Sequence, residues 1–262
     1  MQAPLTITFL GHATCLLEGG GHAVLTDPHF GRRCCGFRRA VPLVYPLGRL
    51  PRLSAVCISH AHCDHCDRES FKYIPSEVPI IVPPKMGPAL ARFINNPVWE
   101  LAHWVPQTLA EGLTITPVPV RHIGGRAIPG LRYRQTSGYH IALAGRQCYF
   151  AGDTSYGTHF REVGHMYTID CALLPLPALV SPAFRVAGAM TGLEVWQAHC
   201  DLRARHCLPI HWGAFGRARV WRKAMADLRR TSAERDGADQ LHIVEPGMSW
   251  TLPITQEVAC NA

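Results

Sequence analysis

Apolar residues along this chain come in short runs rich in Val, Ile, Leu, Tyr and Phe, each bounded by glycine, proline or aspartate. That pattern predicts strands over Leu5–Leu10, Ala23–Thr26, Ala55–Ser59, Pro79–Val82, Leu113–Val120, Gly138–Leu143, Gln147–Ala151, Cys171–Leu174, Cys207–Ile210 and Leu241–Val244. Between them, helical spacing of apolar positions predicts helices over Asp67–Ile74, Gly87–Ile94, Phe160–Tyr167, Leu193–Arg203 and Ala218–Arg230. Strands interspersed with helices give an α/β layered protein. Gly145-Arg146, lying between two strand-like runs, predicts a tight hairpin, so that part of the sheet is antiparallel.

Neither a fixed-period repeat nor a low-complexity linker interrupts the pattern, and 262 residues are enough to bury a substantial core. Residues 1–262 are therefore read as a single domain. Three long stretches lack periodicity: Pro28–Arg52, Arg121–Arg132 and Pro175–Met190. Loops of that length in a compact domain commonly wall a functional site.

Composition narrows the class. No run approaches the roughly 18 apolar residues of a membrane-spanning helix, and a strand-like run begins at Leu5 without the basic start and cleavage site of a secretory signal. A soluble, cytoplasmic protein is the expectation. The eleven cysteines are scattered, several of them inside apolar runs (Cys57, Cys148, Cys171), which predicts that most are reduced and buried. The formal charge is +7, carried almost entirely by arginine, since lysine occurs only at Lys72, Lys85 and Lys223. A positive balance favours anionic partners.

The densest chemistry is Ser59-His60-Ala61-His62-Cys63-Asp64-His65, which places three imidazoles and a carboxylate directly after an apolar run. Imidazole nitrogen and carboxylate oxygen are good ligands for zinc and similar divalent ions. If the strand extends through them, His60 and His62 fall on one side, and Asp64 and His65 past the turn can face a second ion. A lone histidine is usually no ligand, but further candidates also follow apolar runs: His122, Asp153 and His211. Four strands would thus deliver polar ends to one edge.

With His60-Ala61-His62-Cys63-Asp64-His65 as its HxHxDH motif, the sequence resembles the metallo-β-lactamase superfamily. The resemblance implies an αββα four-layer sandwich. It also implies two divalent ions, zinc first and manganese or iron as alternatives, with His60, His62 and His122 on one, Asp64, His65 and His211 on the other, and Asp153 bridging. Gly11-His12-Ala13-Thr14, Thr26-Asp27-Pro28, Phe150-Ala151-Gly152-Asp153-Thr154 and Pro209-Ile210-His211-Trp212-Gly213 are similar to the branch containing N-acyl-phosphatidylethanolamine-hydrolysing phospholipase D and ascorbate-6-phosphate lactonase. Relatives of the phospholipase kind carry a His and a Pro where this chain has Ala189 and Gly192.

Two such ions, about 3.5 to 4 Å apart, can share a hydroxide and polarise a phosphoryl or carbonyl oxygen. Asp64 is placed to orient that nucleophile. Asp27 either accepts the second N–H of a ligating imidazole or forms a turn before Pro28. His12 and His140, near motif ends, are candidate pocket residues. Arg32, Arg33, Arg38 and Arg39 follow Asp27 in one loop and offer guanidinium forks for an anion, although a solvated basic loop would look the same.

Cys63 and Cys66 read as variable positions beside the ligands, and Cys34-Cys35 as surface thiols. Hydrolysis of a phosphodiester or a phosphorylated small molecule is the leading expectation. Lactone or carboxylic ester hydrolysis needs the same centre. A nuclease ranks below both, since no additional domain for holding nucleic acid is evident, and a non-catalytic metal-dependent sensor below that. The expected partner is a small or lipid-like anionic substrate, with room for peripheral contact with a membrane surface.

Overall fold

The computed structural model describes residues 4–34, 36–124, 127–128, 131–132, 135–177 and 190–253. Two sheets pack face to face. The first has seven strands in the order Met248–Thr251, Leu5–Gly11, Thr14–Gly19, His22–Thr26, Ala55–Cys57, Ile80–Val82, Val98–Glu100. The second has six, in the order His206–Ile210, Cys171–Pro175, Arg146–Phe150, Gly138–Leu143, Leu113–Val118, Gln107–Ala110.

Period-two alternation decides which side chains meet. Leu5, Ile7 and Phe9 enter the core between the sheets with Ile115, Tyr139 and Ile141, and the Tyr139 hydroxyl reaches across to donate to the Ile58 carbonyl at 2.8 Å. Leu10, Leu16, Leu25, Val56 and Ile80 face the other way, under the 3₁₀ helix Arg68–Tyr73 and the short helix Gly87–Leu90. The outer face of the six-stranded sheet lies under helices His159–Met166, Gly192–Asp201 and Ala218–Glu234. These are the αββα layers expected from the sequence. None of the described helices is long and apolar enough to cross a membrane.

Local chemistry explains the helices. Thr191 and Glu194 form a reciprocal capping box, with the Glu194 N–H donating to Thr191 Oγ1 at 3.2 Å and the Thr191 N–H donating to Glu194 Oε2 at 2.8 Å. Gly192 follows because a Cβ there would lie 2.3 Å from the Ala224 carbonyl oxygen of the neighbouring helix. Ala218–Glu234 buries Trp221, Ala224, Met225 and Leu228 at helical spacing and leaves its arginines to water.

Some expected elements differ. Asp67–Ile74 is a 3₁₀ helix over Arg68–Tyr73, and Gly87–Ile94 shortens to Gly87–Leu90. Leu241–Val244 makes only an isolated bridge from Leu241 to Cys207, whereas Met248–Thr251, mostly exposed, is the edge strand that pairs with Leu5–Gly11. The tight turn is Ala144-Gly145, both at positive φ, with Arg146 already in the next strand.

Strand direction positions the site. Leu5–Gly11 is antiparallel to Thr14–Gly19, which is antiparallel to His22–Thr26, and Ala55–Cys57 runs parallel to the latter. The carboxyl ends of Leu5–Gly11, His22–Thr26 and Ala55–Cys57 lead to His12, Asp27 and His60. In the other sheet Arg146–Phe150, Cys171–Pro175 and His206–Ile210 are parallel, and Leu113–Val118 points the same way across Gly138–Leu143. Their ends lead to His122, Asp153 and His211. The two edges are joined by a backbone bridge between His12 and Trp212.

Candidate metal centre

Three imidazole nitrogens converge at this edge. His60 Nε2 lies 2.9 Å and His122 Nε2 3.2 Å from His62 Nδ1. Four ligands held tetrahedrally at about 2.0–2.1 Å from zinc would sit roughly 3.3 Å apart, so this spacing suits a cation. Asp153 completes the group, with Oδ2 at 3.9 Å from both His60 Nε2 and His122 Nε2.

A second group, His12, Asp64, His65 and His211, lies alongside. Asp153 contacts it as well, its Oδ2 3.4 Å from His65 Nε2 and its Oδ1 3.1 Å from His211 Nε2. Asp64 Oδ2 is 3.7 Å from each of those nitrogens. His65 Nε2, His211 Nε2 and Asp153 Oδ1 are all buried without a hydrogen-bond partner. Buried lone pairs left bare on converging groups are what a cation would satisfy, and the donor set of imidazole and carboxylate suits a divalent one.

Hydrogen bonds behind the cluster fix which nitrogen faces inward. The Nδ1–H of His65 donates to Asp27 Oδ2 at 2.7 Å, that of His211 to the Leu176 carbonyl at 3.0 Å, and that of His60 to Ser59 Oγ at 2.9 Å. Each leaves Nε2 as the lone-pair donor. Asp27 also accepts the Ser59 N–H and O–H, both at 2.6 Å. Burial pushes its pKa upward, and His65 with the two Ser59 donors opposes that by favouring the carboxylate. His12 Nε2–H donates to Asp64 Oδ2 at 2.9 Å. Thr154 Oγ1 accepts the Arg121 N–H at 3.1 Å and so ties the residue before His122 to the residue after Asp153.

Backbone conformation is adapted to this edge. His12, Asp27 and His211 have φ of 60°, 34° and 65°, a region that few non-glycine residues adopt. Gly152, beside Asp153, has φ 58°, and a Cβ there would fall 2.5 Å from Ser59 Cβ.

Electrostatics divides the histidines. Burial, reinforced by His65 and other histidine neighbours, holds His60 well below the usual imidazole range, and burial with His122 lowers His62. Burial also opposes charge on His65, but Asp153, Asp64 and Asp27 outweigh it and raise its pKa well above the ordinary value. His211 is raised in the same way, with Asp153 and Asp64 overcoming burial. Burial alone would raise Asp64 and Asp153, yet the surrounding histidines drive both well below the carboxylate range. His12 is pushed down to about 3 by burial and His211, against the pull of Asp64, so it is a neutral donor.

All seven residues of the expected ligand set meet here, with His12 and Asp27 beside them. His140 does not join them. It stands mid-strand on the face opposite Tyr139, stacked on Tyr167 with ring centroids 3.8 Å apart. Of the four loop arginines, Arg39 is turned inward onto the His29 and Gly31 carbonyls and over the Phe215 ring. Arg33 lines a cleft beside Cys63, and Arg32 and Arg38 are exposed.

Among the cysteines, Cys34 is buried rather than a surface thiol, Cys66 is buried, and Cys63 takes part in a disulfide. Cys35 and Ala189 lie outside the described residues. Sequence reasoning missed Ser59, the Leu176 carbonyl and Thr154, which act through single hydrogen bonds and carry no metal-ligand signature.

The chain is similar in sequence and in fold to several known proteins. N-acyl-phosphatidylethanolamine-hydrolyzing phospholipase D 1 of Caenorhabditis elegans is 30% identical over 233 residues, 82% of this chain and 65% of that protein. A UPF0173 metal-dependent hydrolase of Deinococcus radiodurans is 29% identical over 260 residues, covering 95% of this chain and 100% of its own. The chain spans only 59% of its Mycobacterium tuberculosis relative. Igni18, a metallo hydrolase from Ignicoccus hospitalis, shares the fold with a TM-score of 0.75 at 21% identity, over 96% of this chain and 100% of that one. Residues 22–212 match the family described as the beta-lactamase superfamily domain, and the chain belongs to that family.

Proposed function

We propose that this protein hydrolyses a phosphodiester with two divalent ions, zinc by preference. His60, His62 and His122 would hold one ion, and Asp64, His65 and His211 the other. The observation that carries the reading is the position of Asp153, whose Oδ2 is near the first group and His65 while its Oδ1 is near His211. One carboxylate reaching both groups is what a pair of ions needs between them. The phosphodiester is supported by the name of the Caenorhabditis elegans relative, and the imidazole-rich ligand set accepts zinc, with manganese or iron as alternatives.

Ions held there supply a hydroxide near neutral pH and positive charge against the oxyanion that develops. The chain's own contribution is orientation. His62, Asp64 and His122 are the partly exposed members, while His12, His60 and His65 are sealed, so substrate arrives over the Asp64 and His62 side. The Asp64 side chain is 28% exposed and is held by His12. It is therefore the carboxylate able to accept a hydrogen bond from an incoming water and aim its lone pair.

The test is turnover of bis(p-nitrophenyl) phosphate against a panel of lactones, with metal content measured on the same preparation. About two ions per chain and faster phosphodiester cleavage are expected, and Asp153→Ala should lose metal and activity together. Lactone hydrolysis without phosphodiester turnover would overturn the substrate class, and full metal occupancy in Asp153→Ala would overturn the bridging role.

A further inference from the structure

Beside the metal centre lies a cleft of about 440 Å³ whose wall includes His29, Arg33, Cys63, Asp67, Arg68 and Glu69. Cys63 stands between the ligands His62 and Asp64, and its sulfur, that of Cys34 and an Asp64 oxygen lie within 4.8 Å of one another. The cleft therefore borders the partly exposed flank of the centre, at Asp64.

Its carboxylates have partners of their own. Asp67 accepts the Ser70 hydroxyl at 2.7 Å, and Glu69 pairs with Lys72 at 3.1 Å. The two arginines differ. Among the described residues, neither the Arg33 nor the Arg68 side chain makes a hydrogen bond or ion pair, and Arg68 is steadied only by the Phe93 ring at 4.5 Å. Arg33 is moreover paired directly opposite Arg38 in the ribbon Arg33–Cys34 and Phe37–Arg38, which puts two guanidinium side chains on one face. Like charges so placed repel, and an anion bound at Arg33 offsets part of the cost. Arg39 anchors the same loop through the His29 carbonyl, and His29 Nδ1 is buried without a partner.

We propose that this cleft, with Arg33 and Arg68 as its donors, takes an anionic group of the substrate, phosphate or carboxylate, remote from the bond that is cleaved. The proposal rests on the hydrolase reading above. A substrate would lie across the exposed edge with its reacting group at Asp64 and its anionic end between the arginines. Selection would then act on the tail, independently of the leaving group.

The experiment uses metal-loaded protein and three p-nitrophenyl phosphodiesters that differ only in the second arm, which ends in a methyl, a carboxylate or a phosphate. Wild-type protein should prefer the charged tails, and the preferred one distinguishes the two anions. In the double variant Arg33→Gln, Arg68→Gln, the ratio of kcat/KM for the charged tail to that for the methyl tail should fall about tenfold or more, as charge-assisted hydrogen bonds are lost. Calorimetric binding of the corresponding non-hydrolysable phosphonates measures the tail preference of the cleft even where no ester is cleaved. A tail preference that survives in the double variant, or that wild-type protein never shows, overturns the proposal. Tail-selective phosphonate binding without ester turnover overturns the phosphodiesterase reading alone.

Discussion

Asp27 Oδ2 and His65 Nδ1 are 2.7 Å apart, with neither side chain accessible to solvent. The contact fixes the imidazole so that its other nitrogen faces Asp64 and Asp153. Asp27→Asn removes the charge while keeping the shape, and affinity for zinc should fall by about 10- to 100-fold, as for other groups that orient a ligand. Competition with a coloured chelator measures this. Unchanged affinity would reduce Asp27 to a turn residue.

His12 stands in the same relation to Asp64. His12→Asn suits the left-handed backbone but is too short to reach the carboxylate, whereas His12→Gln can extend an N–H toward it. We expect kcat to fall about tenfold or more in the Asn variant, with partial recovery in the Gln variant and metal retained by the His60, His62 and His122 group. Equal activity of all three forms would mean that Asp64 needs no orientation from His12.

Metal uptake should depend on pH unequally across the centre. His65 and His211 have raised pKa values in the metal-free protein, so each keeps a second ring proton to higher pH than an ordinary imidazole, and that proton must leave Nε2 before an ion binds. His60 and His62 are lowered and stand ready as neutral ligands. The affinity of the Asp64, His65 and His211 group should therefore climb with pH until those raised values are passed, while that of the other group changes less. Calorimetry in buffers of different ionisation enthalpy counts the protons released, and equal release for the two binding steps would contradict the assignment.

Gly192 concerns stability rather than chemistry. Gly192→Ala would push a Cβ into the Ala224 carbonyl, a backbone obstacle that cannot swing aside. A cost of about 1–3 kcal/mol is expected from such overpacking, read as a lower Tm with metal content unchanged. An unaltered Tm would show that the two helices slide apart freely.

The convergence of the seven candidate ligands was legible because they follow apolar runs, and runs of one direction end at one edge. His140 was misread by the same rule, since the strand continues past it and alternation turns it away from Tyr139 toward Tyr167. Arg39 could not be told from Arg33 by composition, because what separates them is a backbone carbonyl that only folding supplies. Met248–Thr251 was missed because an exposed edge strand lacks an apolar run, whereas Leu241–Val244 has the run without a full set of strand partners.

The bridge at His12 and Trp212 has a consequence for the order of events during folding. His12 N–H donates to the Trp212 carbonyl at 3.0 Å, and His211 N–H to the His12 carbonyl at 2.6 Å, so the two sheets are stitched at residues near opposite ends of the chain. Closures of such span are slow, because the entropy of the intervening chain is lost before the contact returns anything. The polar edge thus forms late, together with the equally long-range pairing of Leu5–Gly11 with Met248–Thr251, and a partly folded chain has no assembled centre with which to capture an ion. Zinc should accordingly slow unfolding while leaving the refolding rate nearly unchanged, a split that stopped-flow measurements with and without the ion would reveal.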